Sequence, residues 1–434
     1  MNQNIISIKT EKSNEKITAQ SGLLIIGEAL IKFKLKEMFE EILPKPASNR
    51  GKKASEYLTA MILNFANGGI TIEDVIKIFN DKAICKMLNL KEFKSGTIND
   101  WLVRKGEEGL SKNIEKIMNK FNQEIIIKTG KKELTLDIDA MSIESNKSTA
   151  KMTYKNYKGY MPMLGFIPEL FLNIFAEFRT GNTSPRANIL EAIQTSIAKL
   201  PDGYKFKNYR SDSASFSAEI INFLDENQIR YTITAGLNIA IKKAIEEIEE
   251  KDWQTFYDEK GNITNRDYAE IIYAMKDSEN AFRIIVQRAK KTIDKKTKQQ
   301  FLFPEVKYYA IATNDNESSA TEIIYWHNKR GNAENCNKEV KYGVNLNYLP
   351  SSDFKANEIW FLIGILTFNL FQALKLLTLP KSWANKKIAT IRYYLIQIAG
   401  KFIYTARQFK LKLCAISQDI FDIFNLCRSN LCVT

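Results

Sequence analysis

The sequence predicts an α/β protein: a mixed sheet flanked by helices, with an all-helical segment before it and a helical tail after it. Three observations carry this reading. Up to residue 128 the apolar residues recur at helical spacing between tight turns. From Lys131 the texture changes to alternating runs interleaved with helical ones, in the order β-β-β-α-β-α-β that suits a mixed sheet with covering helices. Between Glu358 and Asp419 there is no acidic residue at all, although lysine and arginine continue throughout.

Taken in order, residues 22–41 have helical periodicity and are ended by Pro44 and Pro46. A basic loop at 48–53 leads to a helix over 54–66, closed by Asn67-Gly68-Gly69. Thr71 with Asp74 starts the next helix in the manner of a short capping box, and Ser95-Gly96-Thr97 opens another over 98–105. Such helices form either a helix-turn-helix that reads DNA through 97–105 or an ordinary bundle. We therefore assign 1–128 to a helical N-terminal domain, expected to bind DNA.

In 133–140, E-L-T-L-D-I-D-A, alternation puts Thr135, Asp137 and Asp139 on one face and Leu134, Leu136 and Ile138 on the other. Strand-like runs follow at 151–160 and 169–179, then a helix over 186–199, a strand over 204–212, a helix over 215–227 and a strand over 230–235. Residues 129–235 thus form the first part of the core. Residues 236–305 read as a β-rich insertion with a helix at 239–251, strands at 271–275 and 282–289, and a basic tip at 290–300. The core resumes over 306–378. Its uncharged run 359–374 contains Asn369 and Gln372 and falls short of the ~20 apolar residues a membrane span needs, so a buried helix is expected. The tail, 379–434, interleaves basic residues with Tyr393, Tyr394, Phe402, Tyr404 and Phe409, the composition of a phosphate-backbone surface.

Composition narrows the chemistry. A chain of 434 residues buries a full core and divides into two or three domains. The net charge of +13 favours a polyanionic partner, without separating DNA from RNA or a membrane surface. The first ten residues lack the apolar core of a signal peptide, and Cys85, Cys336, Cys414, Cys427 and Cys432 are odd in number with no C-x-x-C pair; both fit a cytoplasmic protein with reduced thiols. His327 is the only histidine, which excludes His-dependent triads and multi-histidine metal sites. Hydrolytic chemistry must rest on carboxylates.

Residues 327–341, H-N-K-R-G-N-A-E-N-C-N-K-E-V-K, place such a carboxylate. Wound as one helix from His327, Arg330, Glu334 and Lys341 fall within roughly 60° of it on a single face. Ala333, Cys336 and Val340 form a separate apolar stripe, fit to pack on a sheet, and Gly343 ends the helix.

This spacing resembles the Y-x2-R-x3-E-x6-K signature of DDE-type insertion-sequence transposases, with His327 where the signature has tyrosine. Two further stretches match the family in order: L-D-I-D-A at 136–140 with Y-K-G-Y-M-P-M-L-G-F at 157–166, and R-S-D-S-A-S-F at 210–216. The chain is most similar to DDE transposase group 1, the insertion-sequence branch numbered thirteen-eighty, from about 130 to 378. The resemblance implies an RNase H-like core whose catalytic, metal-ligating carboxylates are Asp139, Asp212 and Glu334. Asp137 shares the face of Asp139 and stays open as the first ligand, because Met141 stands where relatives have threonine.

Further implications follow from the same resemblance. Two Mg²⁺ ions, replaceable by Mn²⁺, would activate a water or hydroxyl and offset charge at phosphorus. DNA would be contacted by His327, Arg330 and Lys341 of the signature, and the composition of the tail adds Lys386, Lys387 and Arg392. A phosphate beside His327 would favour the charged imidazole, so that activity rises below neutral pH. The expected partners are terminal inverted repeats and target DNA, bound by a dimer without any membrane. The rivals are an RNase H-like nuclease without strand transfer and a catalytically inactive DNA-binding descendant.

Overall fold

The computed structural model describes residues 10–12, 15–46, 51–92, 94–293, 300–414 and 416–432. It divides into two compact units, one of Met1–Ile117, Gly343–Asn345 and Leu366–Thr434, the other of Met118–Tyr342 and Leu346–Ile365.

The second unit is built on a nine-stranded sheet. Its strands are β1 (Glu133–Ala140), β2 (Met163–Ile167), β3 (Leu172–Glu177), β4 (Lys205–Ser211), β5 (Arg230–Ala235), β6 (Gln254–Tyr257), β7 (Ile263–Tyr273), β8 (Phe282–Ile293) and β9 (Gln300–Thr313). They lie in the order β6-β7-β8-β9-β5-β4-β1-β2-β3. β1, β4 and β5 run parallel, and β2 is antiparallel to β1 and to β3. This is the RNase H-like order, reached because the connections β1–β4 and β4–β5 each contain a helix, Ile189–Ala198 and Ala218–Glu226.

β1 is buried on both faces from Leu134 to Ile138, as a central strand must be. Its antiparallel partner is Met163–Ile167 and not the run at 151–160, which forms only the short pieces Lys151–Met152 and Lys158–Tyr160 of a separate three-stranded sheet. Strands β6 to β9 continue the same sheet beyond β5, with Ala235 opposite Ala310. Phe256, Ile285 and Ile311 from these strands pack on Ala320, Ile323 and Ile324 of helix Ala320–Asn328. Of the expected basic tip, residues 294–299 lie outside the described residues.

Helix Leu110–Thr129 closes the expected helical segment, although its own bounds were not singled out; it buries Ile114, Ile117, Phe121 and Ile125 at helical spacing. The apolar helix Phe354–Leu377 is long enough to cross a membrane, yet 89% of its most apolar window is buried inside the protein, and Asn369 and Gln372 are buried too.

In the first unit, the helix expected over 22–41 breaks at Lys34, which adopts φ 56°, giving Leu23–Lys32 and Leu35–Ile42. Ala54–Asn67 ends as predicted, on Gly68 at φ 92°. Helix Ser95–Glu107 buries Ile98, Trp101 and Leu102, with Trp101 stacked on Tyr57 at 4.4 Å. The tail departs from an all-helical reading. Gly400–Thr405 and Gln408–Leu413 form a hairpin whose first strand also pairs with Ile17–Thr18. The alternation in K-F-I-Y-T and Q-F-K-L-K-L is the physical reason.

Candidate active site

The parallel core strands fix the first two carboxylates. Asp137 lies opposite Arg210 and Ile138 opposite Ser211 across β1 and β4, while Ser211 lies opposite Ile233 across β4 and β5. One residue further, Asp139 and Asp212 stand level at the carboxyl ends of adjacent strands, where an α/β sheet opens its crevice. Asp212 leaves β4 into the turn Ser213–Ser215, and its Oδ1 accepts the Ala214 N–H at 2.9 Å.

Glu334 comes from the other direction. The single helix expected over 327–341 is broken: Ala320–Asn328 ends at His327-Asn328, Gly331–Lys338 starts afresh, and a π turn over Glu339–Gly343 finishes it. Gly331 at the start of the second helix explains the break, since glycine is the weakest helix former apart from proline. The downstream pattern survives. Ala333, Cys336 and Val340 are buried, the helix touches β1, and Arg330 Nη2 donates to Glu334 Oε1 at 3.0 Å. Glu334 itself is exposed.

Asp139 senses the other two carboxylates. Burial pushes the Asp139 carboxyl up to about 6, and the charges of Asp212 and Glu334 add to the rise while Arg330 opposes it. Lys341 is half-buried; burial lowers its ammonium pKa and Lys155 lowers it further, while Asp139 pulls it back. Lys341 lines a polar cavity of about 830 Å³ with Ser142, Lys147, Tyr157 and Tyr342. Tyr157 of the Y-K-G-Y motif donates to Ser142 Oγ at 2.6 Å there.

One interaction was not foreseen. Asn337 Nδ2 donates to Asp139 Oδ2 at 2.9 Å, and its Oδ1 is buried with no hydrogen-bond partner. The amide orientation follows from chemistry, because the opposite flip would set its oxygen against a carboxylate. The available signal was its spacing, about one turn beyond Glu334 and so on the same face.

Asp137 is closed off. Only 1% exposed, it receives Arg210 Nε at 2.9 Å and Nη2 at 2.8 Å, one on each oxygen. Burial raises its carboxyl pKa to about 6 against the pull of that guanidinium. Arg210 also donates to the Trp326 carbonyl at 3.0 Å and lies over the Trp326 ring.

His327 is 1% exposed, which corrects the expectation that its ring meets DNA. Nδ1 lies 2.8 Å from Thr232 Oγ1, and Nε2 lies 3.1 Å from Thr234 Oγ1 and 3.0 Å from the Tyr309 hydroxyl. Burial, helped by Arg330 and Arg210, pushes its pKa down to about 3, opposite to the rise expected beside phosphate. Arg392 is likewise inside, donating to the carbonyls of Phe65, Ala66 and Gly343 instead of facing DNA. Lys386 and Lys387 are exposed, as are Tyr393 and Tyr394, whose rings meet edge to face at 4.9 Å.

The donor set suits a hard cation: two aspartates, a glutamate and an amide oxygen without a partner. Among the described residues no three His, Cys, Asp or Glu side chains close into a ready cage. Glu334 is turned to Arg330, as one of several mutually repelling carboxylates would be.

A family model for "Transposase DDE domain group 1" matches residues 3–430. No curated protein matches the chain. Among solved structures, a piggyBac transposase synaptic complex with hairpin DNA is similar, with 12% identity, 85% of this chain and 80% of that chain covered, and a TM-score of 0.47.

Proposed function

The chain belongs to the transposase DDE domain group 1 family, and from that premise we propose that it cuts and joins the ends of a mobile DNA element by carboxylate-based phosphodiester chemistry. The observation that carries the reading is the level placement of Asp139 and Asp212, with Glu334 close enough to raise the Asp139 pKa. Asp139, Asp212 and Glu334 would hold two Mg²⁺ ions, or Mn²⁺ in their place, which supply activation of water and stabilisation of charge at phosphorus. The burial of Asp137 in its Arg210 fork supports Asp139 as the first ligand.

The chain's own residues do the rest. Asn337 orients the Asp139 carboxylate through Oδ2. Arg330 keeps Glu334 turned aside until substrate arrives, then offers its fork to phosphate. Lys341 brings a positive charge to the same opening. Lys386 and Lys387, with the exposed rings of Tyr393 and Tyr394, form a backbone-binding surface. The substrates are the element's terminal inverted repeats and target DNA. Joining two ends calls for two copies of the site, hence a dimer on DNA, and the reaction belongs in the cytoplasm.

The test is excision in cells of a marker flanked by the inverted repeats that bracket this reading frame. The proposal expects excision with the intact chain and joining of the freed ends to new DNA. Nicked ends without joined products would leave a nuclease; bound but uncut ends would leave an inactive DNA-binding protein.

A further inference from the structure

His327 stands where the signature carries a tyrosine, and its burial removes it from direct contact with DNA. A tyrosine hydroxyl reaches the same spot from a strand. Tyr309, in β9, places its hydroxyl 3.0 Å from His327 Nε2 and 2.9 Å from Thr234 Oγ1. From the far side, His327 Nδ1 is held by Thr232 Oγ1 at 2.8 Å.

The sheet register locates this cluster. Arg210 lies opposite Thr232 and Ser211 opposite Ile233, so Thr234 is level with Asp212 and, one strand further, with Asp139. Alternation puts Thr232 and Thr234 on the face of Arg210 and Asp212. Strands are about 4.8 Å apart, so the hydroxyl pair borders the carboxylates one strand beyond Asp212. Thr232 and His327 are buried, whereas Thr234 is half-buried and Tyr309 is 37% exposed, so the cluster meets solvent on the Tyr309 and Thr234 side.

We propose that Tyr309 contacts a phosphate of the DNA strand bound beside the carboxylates, with His327 as its positioning residue. The proposal rests on the transposase reading. A neutral imidazole has one donating and one accepting nitrogen, so it can fix Thr232 on one side and the phenol on the other without burying a charge. With the proton on Nε2, the imidazole donates to the phenol oxygen while Nδ1 accepts from Thr232, which leaves the phenol's single O–H to donate to a phosphate oxygen. His327, held inside the fold, thus fixes a strand tyrosine beside the carboxylates.

The test uses the full chain and duplexes ending in the bracketing inverted repeats, each with one phosphate replaced by a neutral methylphosphonate. Wild type should lose affinity at a small set of positions. Tyr309→Phe keeps the ring and should bind roughly tenfold more weakly, the loss of one hydrogen bond to a charged group. It should also become indifferent to the methylphosphonate at one of those positions. His327→Ala should show the same indifference at that position, and combining the two changes should add nothing further. Thermal melts check folding; should His327→Ala unfold, the surface variant Tyr309→Phe decides alone. An unaltered interference pattern in Tyr309→Phe overturns the proposal and leaves the transposase reading standing. Failure of wild type to bind the repeats overturns both.

Discussion

At the scale of single residues, two aspartates on one strand face have opposite fates because of one arginine. Asp137 and Arg210 are a buried bidentate pair, with side chains 1% and 4% exposed. Removing one partner strands the other charge, which costs about 3–5 kcal/mol. Arg210→Ala should therefore lower the urea midpoint sharply, whereas Asp139→Asn should leave the fold intact. If Arg210→Ala melts like wild type, the pair is not the structural clamp described. His327 gives a pH prediction. Its folded pKa is depressed from 6.5 to about 3, so its stabilising contribution is complete above pH 6.5 and is lost as pH falls toward 3. Relative to His327→Asn, wild type should lose up to about 1.4 kcal/mol per pH unit across that window. A constant difference between the two proteins from pH 7 to pH 4 would place the imidazole in solvent.

Elements show how much was legible. The alternation of E-L-T-L-D-I-D-A gave the central strand, and the stripe Ala333, Cys336 and Val340 gave the buried side of the Glu334 helix. Both are readable because burial imposes a period. The break before Gly331 was signalled by the glycine but hidden by a wheel that assumes continuity, and the packing that holds the preceding helix comes from the inserted strands. Strand Met163–Ile167 is buried on both faces and so has no alternation to detect. Arg392 misled for another reason. In an acid-free stretch a cation looks solvated, but its acceptors include main-chain carbonyls at the end of helix Ala54–Asn67. Arg392→Ala should thus cost about 1.5–3 kcal/mol in denaturant melts, as loss of hydrogen bonds to a buried charged donor does. An unchanged midpoint with weakened DNA binding would return it to the surface.

For the whole molecule, the charge of +13 becomes specific only where the side chains are exposed. Lys386→Gln with Lys387→Gln should leave the melting temperature unchanged. For every phosphate that the protein no longer neutralises, the slope of log K against log salt should flatten by about 0.9. An unchanged slope would assign both lysines to solvent. The fold's central contribution is geometric: parallel strands bring Asp139 level with Asp212, and the helix that carries Glu334 packs on β1. The most direct test is strand nicking of an end-bearing duplex in Mg²⁺ or Mn²⁺ by wild type, Asp139→Asn, Asp212→Asn, Glu334→Gln and Asp137→Asn. The account predicts metal-dependent nicking by wild type, and folded, DNA-binding but inert proteins for the first three changes, while Asp137→Asn loses stability first. Nicking by folded Asp139→Asn, with its loss in an equally folded Asp137→Asn, would contradict it.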